Sequence, residues 1–588
     1  MLTACGSETE KDTTAPTITI NGERSVTVYE GDLYIDGGAT ANDDTDESLI
    51  VSTTGSVDTS TPGEYTITYT ATDSANNSST STRTVLVIIP DLTPPVITLN
   101  GLSTLRLLLN DTYIEEGATA TDDQDPPISI TTSGAVDSST VGEYIITYSA
   151  IDYSGNSSTA TRTISVEIAK PFITTWNTDI ESDDEEENRT ITIYTKGGGY
   201  NYQVNWGDSL NDENVNGSIS HTYESSGTYT ISINGDFPQI YYNLENDNKK
   251  LKSIEQWGEI KWESMHKAFY KTSSLHVNAN DAPDLSLVTD MSYMFSEIDI
   301  LNSKQSSWNW DVSNVESMKS SFKFATTFNQ DISSWNISSV TDISEMFRGA
   351  TMFDQDISGW DTSNVNDMYA IFSHSFEFNQ NINSWNISSV NNLSKVFFAA
   401  KNFNQPLNNW DTSNINNMSQ LFFGAYKFNH EINSWNTSLV TDMTEMFLYA
   451  FRFNQPLNNW DVSSTTIMEG MFYRATDFNQ NLSNWNVSSV ENMKSMYKCF
   501  SAICAFNQDI SNWDISSIKF NGMEDMFSDT KLSTGNYDQL LLGWSQLNLE
   551  NDVNFNAGSS TYSASSQDAR NTLINTYGWT ISDGGITP

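Results

Sequence analysis

The chain has 588 residues, more than one hydrophobic core accommodates, and 12 % of them are aromatic, a content that disordered chains avoid. Its 28 basic and 75 acidic residues give a formal net charge of −47, which repels nucleic acid and anionic lipid headgroups. No apolar run reaches the roughly 18 residues that a membrane-spanning helix needs. We therefore expect several folded domains, whose charge either serves solubility or favours divalent cations and cationic or neutral partners.

Residues 1–15 contain Leu2-Thr3-Ala4-Cys5, which looks like a bacterial lipobox. The resemblance implies that the thiol of Cys5 takes a diacylglycerol and that the polar residues after it form a tether. The basic stretch and apolar segment that usually precede such a box are missing, so a chance tetrapeptide is the alternative. On this interpretation the chain meets the membrane only through a lipid anchor.

Residues 16–90 are repeated, at a constant offset of 79, within residues 91–168. Gly63-Glu64-Tyr65, for example, returns as Gly142-Glu143-Tyr144, and alternating apolar residues follow both triplets. Short alternating strands between Gly, Asp and Asn turns predict two β-sandwiches. The repeated pattern resembles the Ig-like domains of bacterial surface proteins, which implies a pair of spacer domains.

Clustered aspartates in one loop of each sandwich suggest calcium as a cofactor, because Ca²⁺ takes hard oxygen ligands from several positions. The candidate ligands are Asp43, Asp44 and Asp46 in the first sandwich and Asp122, Asp123 and Asp125 in the second. The alternative is turn chemistry, in which Asp accepts hydrogen bonds from its own backbone. No other cofactor is expected.

Residues 169–250 predict a third sandwich. They contain Trp206-Gly207-Asp208, His221-Thr222-Tyr223 and Gly227-Thr228-Tyr229, a pattern similar to that of PKD domains, with Ser209 in place of the usual Gly. The resemblance implies an extracellular spacer or binding module. It also makes His221 a packed structural residue rather than a catalytic base.

One period of 25 residues dominates the rest of the chain, marked by tryptophans at positions 310, 335, 360, 385, 410, 435, 460 and 485. Apolar residues around Trp335 have the spacing of a short strand, and those from Val340 to Ala350 recur at three and four, as on one helix face. We therefore predict one strand and one helical segment in each coil. Stacked coils would then bury columns of Trp, Phe and Met.

These repeats, in residues 251–531, resemble the BspA-like leucine-rich-repeat surface proteins in the pattern from Met346 to Val365. The fold class implied is multidomain, with all-β Ig-like sandwiches followed by an α/β, right-handed solenoid. Residues 532–588 would cap it with two helices and a strand. The buried Asn of leucine-rich repeats is replaced by Val or Ile, so we expect the Asn of each Phe-Asn-Gln step to supply the turn hydrogen bonds.

A polar ribbon follows the tryptophans, with Asp and Asn alternating at the next position. Its members are Asp311, Asn336, Asp361, Asn386, Asp411, Asn436, Asp461, Asn486 and Asp514. Side chains next to an inward Trp point outward on a strand, so the ribbon is a candidate ligand-binding surface. The alternative is a soluble face without a ligand.

Cys499 and Cys504 lie where the period expands to 28 residues. They predict either a disulfide across a surface loop or a free buried pair.

The sequence predicts a bacterial cell-surface lipoprotein, of the outer membrane or secreted, that presents the solenoid for adhesion to host, matrix or glycan ligands. Its partners would be an extracellular protein or glycan, and no nucleic acid. No unrepeated catalytic constellation is visible, so we expect no enzyme. The alternatives are a structural envelope protein without a specific ligand and an accessory module of a carbohydrate-active enzyme.

Overall fold

The computed structural model of the chain describes residues 10–179, 185–242, 246–500 and 504–587. It divides into two compact units, Met1–Ile168 and Ala169–Pro588. No helix among the described residues is both long and apolar enough to cross a membrane. The lipidation site predicted at Cys5 lies outside the described residues.

The first unit contains two copies of one sandwich, as the 79-residue repeat predicts. The strands of the first copy are β1 Thr17–Ile20, β2 Ser25–Tyr29, β3 Ala39–Asn42, β4 Val51–Thr54, β5 Gly63–Thr72 and β6 Ser78–Ile88. Those of the second are β7 Val96–Leu99, β8 Thr104–Leu108, β9 Ala118–Thr121, β10 Ile130–Ser133, β11 Gly142–Ile151 and β12 Ser157–Glu167. Both copies combine a four-stranded sheet, ordered β2-β6-β5-β4 or β8-β12-β11-β10, with a two-stranded one.

Alternation of buried and outward-facing side chains along the long central strands builds each sandwich core. In β5 the side chains of Ile67, Tyr69 and Ala71 are buried while their neighbours face outward or remain half-buried. The pairing of β5 with β6 is antiparallel, whereas β2 joins β6 in parallel and forms one edge of the sheet. The prediction of two Ig-like sandwiches is confirmed.

The second unit begins with the predicted third sandwich. Its elements are β13 Phe172–Asn177, α1 Glu185–Arg189, β14 Thr190–Ile193, β15 Asn201–Asn205, β16 Asn211–Val215, β17 Ile219–Thr222, β18 Thr228–Asp236 and a 3₁₀ turn, Asn246–Lys249. The first coils then add β19 Leu251–Gln256, β20 Ser274–Val277 and β21 Ile300–Ser303.

One seven-stranded sheet, ordered β16-β15-β18-β13-β19-β20-β21, crosses the boundary expected at residue 250. Strand β13 is antiparallel to both β18 and β19, and β19, β20 and β21 then run parallel. A single buried cluster contains Phe172 at its start and Trp579 at its end. The third sandwich and the repeats therefore share one core.

The coils after β21 contain turns and isolated parallel bridges rather than the expected strand and helix, so that prediction is wrong. Among the described residues from 304 to 533 no α-helix occurs. The reason is the direction of the hydrogen bonds: Phe422 N–H donates to Met446 O at 2.9 Å, one coil onward, and not to the carbonyl four residues back. Glu445, with φ of 52°, also breaks the helical backbone inside the apolar run.

Aromatic columns hold the coils together. Trp435 and Trp460 stack with ring centroids 6.4 Å apart and planes 4° apart, and Phe447 lies 5.5 Å from Phe472 in the neighbouring column. All four side chains are buried. Repetition of these contacts gives each coil a core that it lacks alone.

The C-terminal residues close the stack. They form α2 Thr534–Trp544, β22 Asn554–Asn556, a 3₁₀ turn Ala564–Ser566, α3 Gln567–Tyr577 and β23 Thr580–Ser582. Ser533 caps α2 by accepting a hydrogen bond from Asn536 N–H, and β23 pairs in parallel with β22. The expected two helices and final strand are confirmed.

Candidate functional site

The polar ribbon is exposed, but its side chains serve the turns. Each of the nine residues accepts, through Oδ1, a hydrogen bond of 3.0–3.2 Å from the backbone N–H of the serine two positions later. Hydrogen bonds from the hydroxyl and the amide of that serine lower the pKa of Asp361, Asp411 and Asp461. The alternation of Asp and Asn therefore preserves one acceptor per coil.

A second polar row lies at the Phe-Asn-Gln step, where the sequence predicts turn hydrogen bonds. Asn454 Oδ1 accepts from Asn479 N–H at 3.0 Å and from Gln480 Nε2 at 2.8 Å. The same contact joins Asn429 Oδ1 to Asn454 N–H, one pair earlier in the stack, and Asn404 Oδ1 to Asn429 N–H, two pairs earlier. This asparagine ladder ties each coil to the next, so the expectation is confirmed.

Charge is segregated within the seven coils that begin at Trp310 and end at residue 484. We define the turn-side band as the residues 9 to 17 positions after the tryptophan of each coil. All eight basic residues of these coils lie in the band, beside five acidic ones, whereas the remaining positions carry twelve acidic residues and no basic one. The band is thus a positive surface on an acidic chain.

The band also carries every aromatic residue of these coils that is not part of a buried column. These residues are Phe324, Tyr369, Phe376, Phe398, Phe423, Tyr426, Tyr449, Phe451 and Tyr473. All nine are half-buried or exposed. A row of partly exposed large aromatics is typical of binding surfaces, in which aromatic residues are enriched.

Seven of these rings, with His374, form a continuous aromatic ladder across five coils. Its aromatic members are Phe376, Phe398, Phe423, Tyr426, Tyr449, Phe451 and Tyr473. Phe398 stacks on Phe423 at 4.3 Å, Tyr449 follows Phe423 at 5.8 Å, and Tyr426 stacks on Phe451 at 5.0 Å. His374 joins the start of the ladder at 5.1 Å from Phe398.

Cations lie beside the rings of the band. Lys401 Nζ is 3.8 Å from the centroid of Phe376, and the guanidinium of Arg474 is 5.2 Å from the centroid of Tyr449. Sequence reasoning missed this surface because it followed the positions that repeat. The sequence signal for this surface lies in the band positions that do not repeat, where the residue differs from coil to coil.

Two groups of aspartates converge in the first unit. Their carboxylate oxygens lie within 4.8 Å of one another: Asp12, Asp43 and Asp73 in the first group, and Asp91, Asp122 and Asp125 in the second. The Oδ2 atoms of Asp43, Asp91 and Asp122 are buried and have no hydrogen-bond donor. Converging carboxylate oxygens without donors suit a hard cation such as Ca²⁺.

Only three of the six predicted calcium ligands belong to these groups. Asp44 and Asp123 are exposed and lie outside them, and Asp123 Oδ1 accepts a hydrogen bond of 2.5 Å from Thr93 Oγ1. Asp46 also lies outside, and its Oδ2 accepts a hydrogen bond of 2.9 Å from Ser74 N–H. Asp125, the counterpart of Asp46, accepts the equivalent bond from Tyr153 N–H at 2.7 Å and still belongs to its group. The ligand role of Asp44, Asp46 and Asp123 therefore stays a prediction.

Asp12 and Asp91 were missed by sequence reasoning because each precedes its sandwich. Their backbone carbonyls accept from Asn77 Nδ2 at 3.2 Å and from Asn156 Nδ2 at 3.1 Å, which positions both segments against the loops. The signal that identifies them is the offset of 79, which relates Asp12 to Asp91 as it relates the two sandwiches.

The remaining candidate residues have structural positions. Cys499 and Cys504 are joined as a disulfide, with Cα atoms 6.2 Å apart. His221 Nε2 lies 2.7 Å from Asp208 Oδ2, and its ring stacks on Trp206 with centroids 4.9 Å apart. His221 is therefore packed between side chains.

Comparison with known families gives the chain its classification. The family described as "Mycoplasma protein of unknown function, DUF285" matches residues 237–309, 263–384, 309–410, 391–502 and 458–567, which together span more than half of the chain. The chain belongs to this family. Residues 18–87 and 97–166 each match "Bacterial surface protein, Ig-like domain", so this DUF285 protein carries surface-protein domains at its N-terminal side.

Relatives and solved structures cover smaller parts of the chain. Hyalin of Lytechinus variegatus is 34 % identical over 169 residues, 27 % of this chain and 32 % of hyalin. Hyalin of Strongylocentrotus purpuratus is 29 % identical over 201 residues, 32 % of this chain and 17 % of hyalin. The chain thus spans about a third or less of the length of these relatives.

Two solved structures show partial likeness. One contains the M60 catalytic domain with the CBM51-1 and CBM51-2 domains of Clostridium perfringens ZmpB, at 11 % identity over 37 % of this chain and 44 % of that one, with a TM-score of 0.12. The other is the protocadherin gammaB4 extracellular domain, at 19 % identity over 37 % of this chain and 43 % of that one, with a TM-score of 0.16.

Proposed function

We propose that this protein is a bacterial surface or secreted binding protein whose coils hold an extracellular ligand at the turn-side band. The observation that carries the proposal is the aromatic ladder, a run of partly exposed rings from Phe376 to Tyr473 on an otherwise polar surface. The Ig-like domains support a location outside the cell. In this proposal the coils are a solenoid of the BspA-like leucine-rich-repeat type and the third sandwich is a PKD-like domain.

The polar ribbon is the competing surface, since the sequence favours it. Its acceptors already bind the serine N–H groups, so less of their hydrogen-bonding capacity is available to a ligand. Rings and cations in the band offer van der Waals and electrostatic contacts that the coil itself does not use fully. We therefore propose the band as the ligand-binding surface and use the ribbon as the control surface.

The test is an array of extracellular glycans and matrix proteins, probed with the full chain and two variants. The ladder variant combines Phe398→Ser, Phe423→Ser and Tyr426→Thr. Other coils already contain Ser373 and Thr351 at these positions, so the variant should fold. The ribbon variant changes Asp361, Asp411 and Asp461 to Asn, as in the alternate coils. Loss of bound spots only in the ladder variant supports the proposal.

If the ladder variant and the ribbon variant bind the array equally well, the band is not the ligand-binding site. Absence of any bound spot for the full chain would favour the structural envelope protein. We expect no enzymatic turnover of the bound material. An accessory role beside a carbohydrate-active enzyme predicts the same spots but requires that enzyme as a partner, which co-purification from the producing cells would reveal.

Anchoring is a separate part of the proposal. Leu-Thr-Ala-Cys supports a diacylglycerol on Cys5 and hence a lipoprotein of the outer membrane. Labelling of producing cells with a fatty-acid probe should mark the natural chain and spare Cys5→Ser. Equal labelling of the two forms would leave the chain without this anchor.

A further inference from the structure

We propose that the turn-side band binds a polysaccharide with widely spaced carboxylates, that is, a glycan containing uronic acids. The inference rests on the proposed function, because it names the ligand class of the same surface. It combines three observations about the band: partly exposed rings in a row, cations beside them, and backbone hydrogen bonds that run between coils.

The rings give the ligand its apolar contact. A sugar ring presents a face of C–H bonds. Phe398 and Phe423 stack on each other, so the ladder meets that face with the exposed rims of its rings, through dispersion contacts. Between Phe398 and Tyr473 the ladder offers rings in four consecutive coils, with 5.8 Å from Tyr449 to Tyr473. A polymer lying along the stack would contact one coil after another and gain affinity from each contact.

The cations give the ligand its charge. Lys395, Lys401 and Lys427 lie in two consecutive coils at the centre of the ladder, and the coil that contains Lys395 and Lys401 has no acidic residue. Lys395 Nζ also lies 5.7 Å from the centroid of Tyr369, so charge and ring are adjacent there as at Lys401. A carboxylated sugar can use both groups at once.

A peptide fits this surface less well than a glycan. Backbone donors along the ladder are consumed between coils: Ala399 N–H donates to Phe423 O, and Gly424 N–H donates to Leu448 O at 2.7 Å. These bonds leave an extended peptide few unpaired N–H groups for strand addition. Side chains make most of the surface, and a hydroxyl-rich polymer binds through them.

Nucleic acid fits less well because its charge is too dense. The band has eight basic against five acidic residues over seven coils, and the other positions of the same coils add twelve acidic residues. A strand with one phosphate per nucleotide needs many neutralising contacts and would be repelled by the rest of the chain. A polymer with a carboxylate on only some of its sugars matches the small positive excess.

The experiment measures binding of the full chain, by affinity electrophoresis, to hyaluronate and to polygalacturonate whose carboxyl groups are partly methyl-esterified. Both polymers then carry a free carboxylate on only some of their sugars. Comparison polymers are the carboxyl-reduced forms of both, dextran, poly-dT and poly-glutamate. We expect the two uronate polymers to retard the chain, and carboxyl reduction to weaken the apparent affinity at least about tenfold. Rising salt should weaken binding to the natural polymers and leave any binding to the reduced ones unchanged.

Variants assign the effect to the band. The charge variant combines Lys395→Gln, Lys401→Gln and Lys427→Gln, and it should bind the uronates at least about tenfold more weakly, as should the ladder variant. The ribbon variant is the matched control and should bind as the natural chain does. Circular dichroism and melting of each variant separate lost binding from lost folding.

Several outcomes would overturn the inference. They are equal or tighter binding to poly-dT or poly-glutamate, equal binding by the charge variant, or no retardation by either uronate. If no uronate binds but an array ligand of another class is still lost with the ladder variant, the proposed function stands and only the ligand class is wrong. If the ribbon variant no longer binds the uronates while the ladder variant still binds them, both the proposed function and the proposed ligand class are wrong.

Discussion

One arginine lies inside each sandwich of the first unit. Arg162 is fully buried, its guanidinium pairs with Glu115 at 2.6 Å, and its Nε donates to Leu102 O at 3.0 Å. Arg83 makes the same ion pair with Asp36 in the first copy. A buried charge is tolerated here because carboxylate and backbone acceptors surround it.

A tyrosine in each sandwich makes the first unit sensitive to alkaline pH. Burial, with the hydrogen bond to Asp36 or Glu115, raises the pKa of Tyr69 and of Tyr148 to about 12, from an ordinary 10.0. The folded state favours the neutral phenol, so this stability is fully present below pH 10 and is lost as the pH rises through 12.

We therefore expect the free energy of unfolding of the first unit to fall between about pH 10 and about pH 12. The variant with Tyr69→Phe and Tyr148→Phe should show a smaller fall, because only Tyr113, whose pKa burial also raises, remains in this part of the second sandwich. The variant should also be less stable near neutral pH. Urea unfolding at several pH values measures both. Tyr153→Phe is the control, since Tyr153 is 82 % exposed. The same alkaline loss in the double variant and the natural chain would contradict this prediction.

At the scale of the coil, hydrogen bonds between neighbours replace those of a helix. The sequence predicts the period, the buried columns and the asparagine ladder, because each follows from the residues that recur. It does not reveal the absence of a helix between Val340 and Ala350. Two successive turns give the same apolar spacing as a helix, and only the partner of each N–H distinguishes the two.

The asparagine ladder should contribute measurably to the stability of the stack. Asn454→Ala removes the acceptor of Asn479 N–H and Gln480 Nε2, which we expect to cost about 1–2 kcal/mol in the free energy of unfolding. Asn454→Asp keeps an acceptor, as Asp354 does in its own coil, and should cost less. Chemical denaturation of the two variants compares them directly. Equal losses of unfolding free energy in the two variants would mean that the side-chain acceptor does not stabilise the stack.

Calcium binding is a prediction for the loops of the first unit. If the converging aspartates hold Ca²⁺, its addition should raise the Tm of this unit, because a ligand that binds only the folded state stabilises it. Asp43→Asn with Asp122→Asn should abolish the shift. Asp44→Asn with Asp123→Asn, at exposed positions outside the groups, is the matched control. A shift lost equally in both pairs would indicate general charge screening instead.

At the scale of the molecule, the structural boundary lies near residue 168 and not near residue 250. The sequence predicts a boundary at 250 because the composition changes there from sandwich to repeat. The change in composition does not predict the pairing of β13 with β19, because this pairing joins segments more than seventy residues apart. The rings confirm the junction: Phe172 lies 5.2 Å from Trp262 and 5.9 Å from Trp257.

Two truncated chains test this junction. A chain of residues 169–588 keeps the seven-stranded sheet and should melt cooperatively, at the temperature of the second unit in the full chain. A chain of residues 251–588 loses β13, which leaves an edge of β19 unpaired and exposes Trp257 and Trp262. We expect it to melt at a lower temperature or to aggregate, since an open apolar strand edge recruits other chains.

Thr175→Pro in the full chain makes the same test without truncation. Thr175 lies in β13, where it is paired with Thr230 on one side and Ser253 on the other. Proline in a strand flanked on both sides removes a ladder donor and should destabilise the second unit. Because the two segments share one core, the loss should appear in the melting of the coils as well as of the third sandwich. Unfolding of residues 169–250 alone, with the coils intact to their usual Tm, would show instead that the sandwich is an independent domain.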